Sequence, residues 1–467
     1  MNRLNIFTRS ALVFRLPLLL GAGVPLLLSA FGCACKAEKL GAVAGEPKVW
    51  ISREVRRTVT VTPGARIELE NLAGRVSATA APGNEFVLIA TIHAGGDSKA
   101  EAETLAARLD FTTDALPGVI RIKAGYPLTQ YDSYYYPRWG GADAEPKLIG
   151  VQINTDRASR RICGLPLFGG CRTTAKFQGT QVTVTSEPRR GAAPLYADVV
   201  LQIPDGAALE ASTVLGALSA DGLNGAIRLG NGAGAVQTRV NTGELTIATG
   251  SGDVAIDGQT GAVRVETGSG DVTACHIRGG MRITTGSGDV SLEEVTGAAH
   301  EVETGSGEIR LRKVSGALKT STGSGEVRGD ELTPDGQLSA DTGSGDIRLD
   351  GDLAAVRNLT ISTGSGDVEV NMSRPPDAQL RVDTGSGEID VELPGLADIT
   401  REHGEYRARL GQGQGKVKIE TSSGDVKMRQ LPGAPLPPAA LAAPAKPEVN
   451  ATPHAPKAPK PPKPPKL

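Results

Sequence analysis

Aromatic residues are scarce in this 467-residue chain: two Trp, seven Tyr and seven Phe. A core drawn from such a composition must consist of Val, Ile, Leu and Ala in small aliphatic layers. Net charge is scarce as well, at −2, which gives no basis for nucleic-acid binding, since that needs a concentrated basic surface. The five His are scattered without common spacing. No Ser/His/Asp or Cys/His arrangement accompanies them, so no catalytic set, metal site or cofactor is expected. Helix-period sequence is nearly missing too. Only Glu101 to Leu109, "EAETLAARL", is rich in helix formers.

What the chain has instead is glycine, 60 residues of it, much of it in one motif. The Thr of TGSG stands at 249, 267, 285, 304, 322, 342, 363 and 384, with the variant "TSSGDV" at 421. Spacings of 18 to 21 residues mark a repeat architecture. Val263, Val265 and Thr267 alternate before one turn and Val272 and Ala274 after it, a period of two that means strands with one buried face. No helix interrupts them, so βαβ crossovers are excluded. The expected fold is an all-β solenoid of stacked coils, about 4.8 Å apart. Its glycines are expected to supply positive φ at the corners, and its Thr a cross-coil ladder of hydroxyls and methyls. A strand rather than a helix follows every GSG, and no GKS or GKT occurs, so nucleotide binding is rejected.

Each GSG precedes an acid: Asp253, Asp271, Asp289, Glu308, Glu326, Asp346, Asp367, Glu388 and Asp425. Stacked, they form a column of carboxylates that needs relief from repulsion. Bound calcium would give it, but Arg310, Arg328, Arg348 and Lys427 stand two residues on. With Asp and Glu interchanging freely, the expected reading is a solvated, charge-balanced face.

Five segments are distinguished. Residues 1–36 read as an export signal, with Arg3, Arg9 and Arg15 before the apolar run "LPLLLGAGVPLLLSAF". Cys33 after Gly32 resembles the lipidated Cys of a bacterial lipoprotein, with ordinary cleavage as the alternative. Ala34 behind it favours the outer membrane. Residues 37–125 read as a β segment with the one short helix, and 196–430 as the solenoid. Residues 431–467, "LPGAPLPPAALAAPAKPEVNATPHAPKAPKPPKPPKL", read as a cationic, disordered tail.

The remaining segment, 126–195, departs from the repeat. Cys163 and Cys171 bracket "GLPLFGG" and suit a local disulfide in an oxidising compartment; Cys275 sits alone in the repeats as a small core or surface residue, and Cys35 has no evident partner. Tyr126, Tyr131, Tyr134, Tyr135, Tyr136 and Trp139 cluster within fourteen residues. They are either a contact surface for sugar rings or protein partners or a cover for one open end of the stack.

As a set, "IELENLAGRVSATAAPGNEFVLIATI", "ADVVLQIPDGAALEASTVLGALSADGLNGAI" and the serial "TGSGDV/TGSGEI" units resemble a bacterial family of exported β-strand-repeat proteins, grouped as adhesins and related to the toast-rack group. The resemblance covers roughly residues 55–125 and 195–430. It implies an all-β stack, and leaves biochemical activity mostly undefined. The functional expectation is a non-catalytic adhesin or scaffold of the cell envelope, outer-membrane, periplasmic or cell-surface. Its partner would be an envelope polysaccharide or surface protein, met through the 126–195 segment. A carbohydrate-active β-helix enzyme is the alternative, with Glu402, His403 and Glu405 in a longer loop as its nearest acids; a calcium-dependent repeat adhesin is another.

Overall fold

The computed structural model describes residues 46–137 and 172–431. Within the repeats, Val263–Thr267 buries alternate residues, as the period-two pattern requires. The TGSG turn follows, and the chain returns as Val272–Arg278. One repeat later, Met281 lies beside Val263 and Thr285 beside Thr267, in parallel register. Val290 likewise lies beside Val272. Two parallel ladders therefore run through the stack, one on each side of the turn. The fold is the expected β-solenoid, and Ile247, Val265, Ile283 and Val302 stack as a fully buried aliphatic column.

The returning strand bends once. His276 has φ 56°, and Val240, Glu294, Lys313 and Glu331 hold φ of 50–55° at the equivalent corner, alongside Gly222 and Gly258. Beyond that corner Ile277 and Arg278 form a short third side, paired with Val295 and Thr296 of the next coil. Left-handed conformation is thus concentrated here and at the following Gly turn.

The TGSG glycines serve a different purpose from the one expected. None has φ in the left-handed range; they are needed because stacked backbones meet. A Cβ on Gly252 would lie 1.6 Å from the Gly234 carbonyl oxygen, and on Gly288 1.9 Å from that of Gly270. Thr stacks in register as expected, but its hydroxyl is spent on backbone. Thr285 Oγ1 accepts the Gly288 N–H at 3.2 Å and donates to the Gly270 carbonyl of the preceding coil, also at 3.2 Å. The same pair of bonds recurs at Thr304, Thr322, Thr342 and Thr363.

Both ends of the ladders change to antiparallel pairing. Toward the N-terminal end, the first ladder passes through Ala208–Leu215, Arg66–Ala73 and Val119–Gly125, then meets Asp110–Leu116 antiparallel. The second passes through Val76–Ala81 and Leu195–Pro204 to Glu85–Gly96 and Val49–Thr60, the last two antiparallel. Helix α1, Lys99–Ala106, covers this end. It starts two residues before the expected position because Ser98 Oγ accepts the Glu101 N–H (3.3 Å) while the Glu101 carboxylate accepts the Asp97 N–H (2.9 Å). Its end is met from outside: the Arg53 guanidinium donates to the carbonyl of Ala106, the last helical residue, and to that of Leu109 just beyond it.

At the other end the order of coils departs from the order of the chain. Gly415–Thr421 lies between Val356–Thr363 and Ala378–Thr384, and Val426–Gln430 between Val368–Arg374 and Ile389–Glu392. The final coil therefore fills a gap left between two earlier ones. The stretch expected as a loop from Ala397 is instead a hairpin, Leu396–Glu402 with Glu405–Leu410, and the latter pairs antiparallel with Ala378–Thr384. Asp398, with φ 54°, and a register break between Ala397 and Thr400 blunt this outer strand.

Candidate binding cleft

The acid column is more ordered than a solvated face. Asp253 Oδ1 accepts the Asp271 N–H at 3.0 Å, Asp271 that of Asp289 at 2.8 Å, and Asp289 that of Glu308 at 2.8 Å. Glu308 has a longer arm, and its carboxylate turns to Arg310 on its own strand. Asp and Glu308 therefore differ here: Asp caps the next coil, whereas Glu308 pairs sideways. Arg328 and Arg348 also pair along the strands, with Asp330 at 3.2 Å and Asp350 at 3.6 Å. Burial raises the pKa of Asp271 above the ordinary value, opposed by its bond to the Asp289 N–H. Among the described residues, no three His, Cys, Asp or Glu side chains stand together to hold a metal ion. Cys275 is buried, and burial pushes its thiol up to about 11.

Glu402, His403 and Glu405 lie at the hairpin tip, and Glu405 is held by Arg381 at 3.0 Å and Arg407 at 2.5 Å. Glu405 is thus engaged in ion pairs on the outer face of the hairpin.

The aromatic cluster is turned inward. Tyr134, Tyr135 and Tyr136 are 0%, 4% and 1% exposed, so their faces are not offered to a partner. Tyr126 meets Tyr134 and Phe177 edge-on at 5.4 and 5.7 Å, and Tyr136 meets Tyr196 at 5.0 Å. The Tyr126 hydroxyl donates to Asn71 Oδ1 at 3.1 Å. Burial raises the pKa of both Tyr126 and Tyr134. These rings anchor a small sheet, in which Ser133–Tyr135 pairs with Thr180–Thr185 and that strand with Arg172–Phe177, beside the N-terminal ladders. Shape explains the difference from a contact surface: a body of thin aliphatic layers needs large rings where a second sheet packs on it. Trp139, the pair Cys163 and Cys171, Cys33, Cys35 and the tail lie outside the described residues.

Only Tyr131 of the described candidates remains partly open. Together with the edge of Tyr135 it lines a cleft of about 690 Å³ between α1, the end of Glu85–Gly96 and the segment 188–194. Gly95 makes the walls possible: a Cβ there would stand 2.7 Å from Pro47 and 3.1 Å from Pro194. Arg108 reaches in from the turn just after α1, donating to Gln130 and lying 3.4 Å from the Tyr131 hydroxyl. Arg189 and Arg190 face it from the opposite side, exposed and without a carboxylate partner among the described residues. The acids of the cleft are committed elsewhere, Glu101 to the helix cap and Asp97 to Lys48 at 3.6 Å. Its lining carries three Arg against two carboxylates. These three Arg were missed in the sequence reading; the dipeptide Arg189-Arg190 at the edge of the non-repeating segment was the available signal.

A family model described as Toastrack DUF4097 matches residues 178–375 and 352–433, more than half of the chain. No curated protein matches. Among solved structures, the chain is similar to a "putative cell adhesion protein" from Clostridium sporogenes, at 8% identity and TM-score 0.12, over 81% of this chain and 100% of that one. It is also similar to a "putative adhesin" from Bacteroides fragilis, at 10% identity and TM-score 0.21, over 81% and 97%. The family match points to a protein without enzymatic activity. By that match over more than half its length, the chain belongs to the Toastrack DUF4097 family.

Proposed function

We propose that this protein is a non-catalytic adhesin or scaffold of the bacterial cell surface, and that it takes an acidic envelope polysaccharide in the cleft between α1 and residues 188–194. One observation carries this reading: Arg108, Arg189 and Arg190 converge on an open cleft whose own carboxylates are already bound. Guanidinium groups pair with carboxylate or phosphate through paired donors, and Tyr131 adds a flat amphipathic wall suited to a sugar ring. The stack behind it is a rigid support, because each coil is hydrogen-bonded to two others.

Export through the 1–36 signal and anchoring by a lipidated Cys33 belong to the same reading. Among the described residues no helix is long and apolar enough to cross a membrane. Labelling with a lipid precursor should mark the wild type and be lost in Cys33→Ala.

The cleft is tested with alginate, a polyuronate, as probe. Binding should weaken at least tenfold in R189A/R190A, with an unchanged melting temperature, and should fall steeply with salt. Alginate binding that ignores both Arg replacements would sink the assignment.

A further inference from the structure

The wall of the Arg-lined cleft runs on into an aromatic shelf. Trp50 stands directly opposite Gly95 in the antiparallel pair of Val49–Thr60 with Glu85–Gly96. Residues so paired share one face of the sheet. Gly95 lines the cleft, as does Pro47, three residues before Trp50. Tyr135 lines it too, and its ring centre is 6.2 Å from that of Trp50. On its other side Trp50 meets Tyr196 at 5.8 Å, and Tyr196 stacks on His93 at 4.7 Å.

Trp50 differs from its neighbours in exposure. Tyr135 and Tyr196 are each 4% exposed, whereas Trp50 is 38% exposed. Its ring plane makes angles of 50° and 59° with theirs, so neither lies flat on the indole. The ring is thus held by two buried neighbours and still open to water. A side chain ordered beforehand gives up little freedom on binding. Charge does not distinguish the shelf: Lys48 pairs with Asp97 at 3.6 Å, and the Glu46 charge is felt at Tyr135. What it offers is an aromatic surface.

We propose, on the reading of the cleft as a polysaccharide site, that Trp50 is its second subsite. It stacks on one sugar ring of the same acidic chain, beyond the sugars held by Arg108, Arg189 and Arg190. The apolar C–H face of a pyranose suits an indole, whose large flat surface needs no charged partner. The cleft then recognises acid groups, and the shelf recognises the length of the chain that carries them.

The probes are two alginate oligomers, a disaccharide and an octasaccharide, titrated into the full chain by calorimetry. The octasaccharide should bind more tightly, and Trp50→Ala should cut its advantage about fivefold, as the loss of one stacked ring implies. Trp50→Phe should recover part of that advantage. Salt should weaken both oligomers while the part of the advantage owed to Trp50 survives, because stacking is not screened. Trp139→Phe leaves Trp50 as the single Trp of the chain. Its emission should move to shorter wavelength with the octasaccharide and stay in place with the disaccharide. The proposal is overturned if the octasaccharide binds through Arg189 and Arg190 while the Trp50 emission stays unchanged. It is equally overturned if Trp50→Ala keeps the wild-type advantage at an unchanged melting temperature; the cleft then stands without the subsite. If neither oligomer binds, the cleft reading fails and the subsite fails with it.

Discussion

The carboxylate of Asp271 accepts the backbone N–H of Asp289, one coil further along the stack, at 2.8 Å. This makes the acid of the repeat a connector between coils. Asp271→Glu moves the carboxylate past that N–H and should cost about 1 kcal/mol, the usual net worth of such a bond. Asp271→Asn keeps an acceptor and removes a half-buried charge. Burial raises the Asp271 pKa, so the folded state favours the protonated acid. Its contribution is full below the ordinary value of 3.8 and is lost as pH rises through the folded value. Thermal melts should therefore place Asp271→Asn above the wild type at pH 7, and the two should converge below pH 4.

Val240 is a β-branched residue at φ 50° and is 73% exposed. The equivalent corners one coil before and one coil after are Gly222 and Gly258. Left-handed conformation costs an L-residue about 1–2 kcal/mol, more than the entropy that Gly brings to the unfolded chain. Val240→Gly should raise stability by about 0.5–1 kcal/mol in denaturant melts. An unchanged or lower midpoint would show that the corner is not strained.

The final coil is terminal in sequence yet internal in space. Gly415–Thr421 is hydrogen-bonded on both edges, and Val417, Ile419, Val426 and Met428 are at most 2% exposed. Ending the chain at Gln414 should expose two ladders and the aliphatic column between them, so that no cooperative melt survives. Ending it at Leu431 should leave the melt unchanged, as read by circular dichroism.

Tyr134 separates packing from polarity. Its ring is fully buried and its hydroxyl has no partner among the described residues. Tyr134→Phe should be neutral or slightly stabilising, since it removes a buried polar atom. Tyr134→Ala should cost about 3–5 kcal/mol. Equal losses in the two variants would mean that the hydroxyl, and not the ring, holds the sheet.

Much of the solenoid was legible because its information is local. The recurrence of TGSG marks the coil length, and alternation such as Val263, Val265, Thr267 marks which face is buried. The residue types at the turn were also readable, but their purpose was not. Whether Gly252 is needed for its φ or for the nearness of Gly234 depends on a neighbour eighteen residues away. The aromatic cluster left two readings open for a similar reason. Six rings close together in sequence can face outward or inward, and only the arrival of Phe177 and Tyr196 from later in the chain turns them in.

The candidate sites were the least legible of all. Arg108 and Arg189 are 81 positions apart, with no spacing rule to join them, and they meet because α1 and residues 188–194 flank one cleft. The sequence by itself determined the repeat, the strand period and the turn chemistry, since each follows from residues a few positions apart. The tertiary structure alone decided the order of the last coils, the caps, the inward turn of the Tyr rings and the Arg-lined cleft. These depend on which distant segments pack together, and short-range patterns carry no record of that.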